Sequence, residues 1–172
     1  MELPYLPEGR EILYVGEDND FLQKAKEMAD TFSKHEKQPT GAVIVRDGRI
    51  LGRGSNHSDY HDESGCERKK NGSPTGQGYE TCPGCKPCFH AEQQAIDDAH
   101  ERLEAFARED NLGGADLYLW GHWWCCESCW GKMIGAGIKN VYLVENAVDK
   151  FSGRKKEEKT SFLGKIFGKK KK

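Results

Sequence analysis

The sequence contains no long apolar run. A membrane-spanning helix needs about 20 consecutive apolar residues, and nothing here approaches that length. The opening stretch MELPYLPEGREILYVGEDND carries prolines and acids where a secretory signal needs a continuous apolar core, so a cytoplasmic protein is expected. A disulfide framework is not expected in that compartment, and the seven cysteines are an odd number. Their clustering points to metal binding or catalysis. No internal repeat is present. Positive charge is scarce over most of the chain: residues 150 to 172 hold ten Lys/Arg against two Glu, a surplus of +8, so residues 1 to 149 sum to −10 against the total of −2. So acidic a body has no built-in electrostatic footprint for a nucleic-acid polymer.

What is present suits one globular domain. The 172 residues allow one real core and not two, and 36% apolar with 31% charged residues fits a soluble protein. The expected division is a domain over residues 1–148, with a Cys-rich insertion at about 55–89, and a basic, disordered tail over 149–172. In the tail, Phe162, Leu163, Ile166 and Phe167 fall on one helical face before four lysines. Contact with an anionic membrane or nucleic acid is one reading of that face; a solvated extension is the favoured one.

Residues 20 to 35 place Leu22, Ala25, Met28, Ala29 and Phe32 at helical spacing, with Asp20 as the candidate cap. The stretch GAVIVRDGRILGRG sets two apolar runs around Asp47-Gly48, a dipeptide suited to a tight hairpin turn, and predicts two paired strands. From His90 a helical pattern begins: Ala91, Ala95, Ala99 and Leu103 recur every four residues, with Ile96 beside them, until NLGG ends the element. ADLYLWGH predicts a buried strand, residues 126 to 137 a helix, and NVYLVE a further strand. The order α, β-hairpin, α, β, α, β implies an α/β fold with a mixed sheet covered by helices.

Catalytic zinc takes three protein ligands and leaves a fourth position open. His90 with Cys126 and Cys129 supplies such a set, each part at the expected start of a helix, where free N–H groups and the helix dipole favour a thiolate. Glu92, two residues beyond His90, is placed to reach a water at the open position without ligating the metal, as the general acid and base. Cys125 reads as a small buried residue, because a fourth thiolate would close the open position. A Cys-x-x-Cys pair alone also fits a zinc knuckle or a redox pair. The connection over residues 55 to 89 is rich in Gly, Ser and Pro, shows no period and is too long to be idle in a compact domain. It holds Cys66, Cys82, Cys85 and Cys88, with His57 and His61 nearby. Four soft ligands suit a second, structural zinc; an iron–sulfur cluster or free cysteines are the competing readings.

The pair His90-Ala91-Glu92 and Cys126-Glu127-Ser128-Cys129 matches the H-x-E and P-C-x-x-C signature of zinc nucleobase deaminases, with Cys125 in the place of proline. Over roughly residues 20 to 145 the chain resembles the cytidine deaminase-like superfamily. The stretches PTGAVIVRDGRILGRGSN and MIGAGIKNVYLV look most like deoxycytidylate deaminases. The resemblance implies a three-layer α-β-α fold, a catalytic zinc, a small-molecule nucleotide substrate, a homo-oligomer and control by a nucleoside triphosphate. It also implies that Asn56 bonds the sugar or base and that Ala91 contacts the base through its backbone. Some deoxycytidylate deaminases carry an extra zinc in the same insertion. Riboflavin-pathway pyrimidine deaminases, deaminases of nucleic-acid bases and a non-catalytic zinc module of the same fold are the alternatives. Two departures stand out. NAVDKFSGRKKEE offers no candidate for the family's last helix and fifth strand, so a shorter sheet is expected; and Trp123 and Trp124 either reshape the pocket or belong to the core.

Overall fold

The two strongest helical patterns of the sequence become the two helices that enclose the sheet. The computed structural model of the chain describes residues 5–35, 38–74, 76–105 and 112–152. The tail from residue 153, with its apolar face, lies outside the described residues. Helix α1, Asp20–Phe32, buries Leu22, Ala25 and Ala29. Its cap is Asn19 and not Asp20: the Asn19 side-chain oxygen accepts from the N–H groups of Phe21 and Leu22, both at 3.1 Å. Asp20 is the first helical residue, where its charge meets the positive end of the dipole.

Strands β2, Gly41–Arg46, and β3, Arg49–Ser55, form the hairpin, and Asp47 and Gly48 turn it with φ of 50° and 72°. Strands β4, Asp116–Trp120, and β5, Asn140–Val144, follow as expected. Among the described residues the sheet nonetheless has five strands, in the order β1-β5-β4-β2-β3. The shorter sheet expected from the sequence is therefore corrected: the fifth strand is β1, Ile12–Val15, and it comes from the start of the chain, pairing parallel to β5. Pairing is antiparallel for β2 with β3 and β4, and parallel for β4 with β5, so the sheet is mixed.

Side chains alternate across a strand, which makes the layering explicit. A methyl group on Gly41 would lie 2.1 Å from the Ala25 carbonyl oxygen of α1. Ala42, the next residue, is paired with Gly54, and a methyl there would lie 2.3 Å from the Ala91 carbonyl oxygen. Helix α4, Ala91–Ala105, therefore covers the face opposite α1, giving three layers. Its ridge of Ala91, Ala95 and Ala99 is fully buried, and small side chains on the helix with glycine on the strand let the two backbones touch. Helix α5, Glu127–Gly135, packs beside α4.

Between β3 and α4 the insertion folds into α2, Asp59–Ser64, and α3, Glu67–Lys70, followed by three single 3₁₀ turns at Tyr79–Thr81, Pro83–Cys85 and Pro87–Phe89. After β5 the short α6, Ala147–Phe151, supplies a helix where none was expected, and the Phe151 ring meets Trp120 edge-on at 5.4 Å. Among the described residues no helix is long and apolar enough to cross a membrane.

Candidate active site

Two helix starts converge at one end of the fold. His90 immediately precedes α4 in an extended conformation, and its carbonyl accepts the Gln94 N–H at 3.0 Å. Cys126 caps α5, its carbonyl accepting the Trp130 N–H at 3.0 Å, and Cys129 lies one turn on. The His90 Nδ1 atom is 3.5 Å from Cys126 Sγ and 3.4 Å from Cys129 Sγ. Zinc–nitrogen and zinc–sulfur bonds set about a tetrahedral angle apart would put the same atoms roughly 3.5 Å from one another. One imidazole nitrogen and two sulfurs at that spacing, with no fourth protein ligand in the group, fit an open zinc site.

The electrostatics agree with the donor set. The Cys126 thiol is drawn down to about 4, first by the hydrogen bond from Cys129 and then, against burial, by His90. That same bond, with burial, pushes Cys129 up, so the pair holds a thiolate at neutral pH. Burial alone would lower the His90 pKa, but the bond to Cys126 and the Glu92 charge raise it. Gln93 is buried next to this pair and donates to Ser128 Oγ at 3.1 Å and to Cys129 Sγ at 3.9 Å.

Glu92 is buried on the first turn of α4, and burial raises its pKa against the opposing pull of His90. Cys125 is fully buried, and burial first, then the Glu92 charge, raise its thiol well above the ordinary range. Glu92, His90, Ala91 and Cys126 line a cavity of about 190 Å³ whose wall also includes His35, Arg68, Lys69, Tyr79, His122 and Trp124. Trp123 and Trp124 are both buried, and Trp124 alone of the two is in that wall. His122 is held neutral, its pKa lowered to about 4 by burial and then by His90. Its Nδ1 lies 3.2 Å from the Trp123 backbone nitrogen.

Asn56 lines the same cavity but is largely engaged within the protein. Its oxygen accepts from Ser33 Oγ at 2.6 Å and from the Thr40 N–H at 2.9 Å, and its nitrogen donates to the Gln38 carbonyl at 2.9 Å. At most one amide hydrogen is left for a ligand.

The insertion builds a second group. Cys66, Cys82 and Cys85 come together, but the fourth member is His61 and not Cys88. Cys88 sits in the last 3₁₀ turn with its side chain exposed, because that turn carries it to the side away from its neighbours. His61 Nε2 is 3.3 Å from Cys82 Sγ and 3.5 Å from Cys85 Sγ, and Cys66 Sγ is 3.5 Å from Cys85 Sγ. Burial would raise the Cys82 thiol, yet hydrogen bonds from His61 and from the backbone N–H groups of Glu67 and Gly84 bring it to about 6. Three sulfurs and one nitrogen fit a closed, structural zinc site.

The model of the cytidine and deoxycytidylate deaminase zinc-binding region matches residues 15–145. The chain belongs to this family. This deaminase-family chain is similar to the deoxycytidylate (dCMP) deaminase of the cyanophage S-TIM5, solved with dCMP and dUMP, at 22% identity over 75% of this chain and 82% of that one, with a TM-score of 0.46. It is similar to the guanine deaminase of Bacillus subtilis at 25% identity over 87% and 76% of the two chains, with a TM-score of 0.46. The Thermotoga maritima diaminohydroxyphosphoribosylaminopyrimidine deaminase/reductase is 25% identical over 77% of this chain and 32% of its own, with a TM-score of 0.42. No curated protein matches the sequence.

Proposed function

We propose that this deaminase-family chain hydrolyses a cytosine nucleotide, converting deoxycytidylate to deoxyuridylate with release of ammonia. The observation that carries the reading is the buried Glu92 carboxylate beside the His90, Cys126 and Cys129 group in one cavity. A closed structural site has no open position and so no use for an acid of raised pKa beside it. When bound by these three residues, zinc would supply a water of near-neutral pKa. As water adds to C4 of the base, Glu92 accepts one of its protons and passes it to N3. It then takes the second and delivers it to the amino group, which leaves as ammonia, and the carboxylate is regenerated. The water oxygen remains on C4 as the new carbonyl.

Arg68 and Lys69 in the cavity wall supply positive charge suited to a phosphate. Ammonia release should be followed with zinc-loaded protein on cytidine, deoxycytidine, their mono- and triphosphates and an RNA pool, for wild type and Glu92→Gln. Turnover confined to a cytosine nucleotide, strongest for deoxycytidylate and absent in the variant, is expected. Silence on every cytosine nucleotide would sink the proposal.

A further inference from the structure

The two cysteine groups meet at one imidazole. His90 turns Nδ1 toward Cys126 and Cys129, and it lines one cavity wall together with Cys85. Cys85 thus gives its sulfur to the insertion group and borders the cavity of the histidine of the other group. A second link runs through Arg68, two residues along the chain from Cys66; the Arg68 guanidinium lies 4.2 Å from the Tyr79 ring centre. The Tyr79 ring in turn meets His90 edge-on at 5.1 Å.

The segment that makes these contacts has almost no core of its own. Among the described residues from 59 to 89, the only buried side chains besides glycine are Cys82 and Cys85. Helices α2 and α3 bury none. Chain that cannot bury apolar surface needs another source of order, and in small modules a structural metal is a common one. Partners that orient a metal-ligating histidine also govern how tightly the metal is held.

We propose that the His61, Cys66, Cys82 and Cys85 group is a control site for the catalytic one: metal bound there fixes Cys85 and the Tyr79 ring, and these set the orientation of His90. The proposal rests on reading both groups as zinc sites. Coupling between two binding events is reciprocal, so the two sites fill cooperatively.

The full chain, stripped of metal, should be titrated with zinc against a chromophoric chelator and with cobalt, whose ligand-field bands report the sites separately. Wild type should bind two equivalents with positive cooperativity. His61→Ala removes one insertion ligand. Gly84→Ala keeps all four ligand residues but sets a methyl 2.6 Å from His61 Cδ2 and 2.8 Å from Ser58 Oγ, displacing the ring. Each variant should lose one equivalent and hold the remaining ion about 10–100-fold more weakly. A folded variant, checked by circular dichroism, that keeps wild-type affinity for its remaining ion would overturn the proposal. Should both variants fail to fold, the wild-type titration still decides, because two independent binding steps would overturn it equally. Wild-type protein that binds no zinc would overturn the metal reading itself and the coupling with it.

Discussion

Placing a methyl group on Gly54 tests whether the contact between β3 and α4 positions the catalytic groups. The added carbon would lie 2.3 Å from the Ala91 carbonyl oxygen and 2.3 Å from the Ala95 nitrogen, where ordinary contact begins at 3.4 Å. Both obstacles are backbone, so no rotamer change relieves them, and the start of α4 must move by about 1 Å. His90 and Glu92 ride on that turn. Overpacking of this kind costs about 1–3 kcal/mol, and a displacement of about 1 Å at reacting groups costs on the order of 100-fold in rate. Gly54→Ala should lower the thermal midpoint and cut kcat/KM on the proposed deoxycytidylate substrate by about two orders of magnitude. Gly131→Ala in α5 is the control: a methyl there meets nothing within 4 Å and should stabilise the helix by up to about 1 kcal/mol. If Gly54→Ala matched wild type in midpoint and turnover, the argument from backbone contact would be wrong.

Asn56→Ala removes a clamp of three hydrogen bonds between the end of β3 and the segment before β2. It should cost about 1–3 kcal/mol in a denaturant titration, and no loss would show that those bonds are replaced by water. Lys132 meets Asp97 at 2.6 Å, but both side chains are substantially exposed; Lys132→Ala should cost less than about 1 kcal/mol, and a larger loss would reveal a buried role. A chelator should lower the thermal midpoint by stripping metal from the two thiolate groups, and zinc should restore it. An unchanged midpoint would argue that neither group holds metal.

Much of the fold could be read before the structure because several patterns are local. Asp47-Gly48 announces a turn by its backbone chemistry, and the alanines of α4 repeat at helical spacing whether or not a sheet lies beneath them. His90, Cys126 and Cys129 share a spacing that only a metal site explains well. Other parts were decided by contacts remote in sequence. β1 is four residues long with Tyr14 exposed, too short for any alternation to show. The replacement of Cys88 by His61 depends on how three successive 3₁₀ turns aim their side chains, which spacing does not encode. The influence of the Glu92 charge on Cys125 joins residues from two different helix starts.

The pairing of β1 with β5 also has a consequence for the order of assembly. Ile12 lies against Val141, so the first strand of the chain finds its place only after almost all of the described sequence exists. Closing so long a loop is entropically slow. On a ribosome the hairpin, α4 and the cysteines of the insertion are all made while β1 waits unpaired. The edge of the sheet is thus the last part to assemble and, having few partners, the first expected to exchange its amide hydrogens with water.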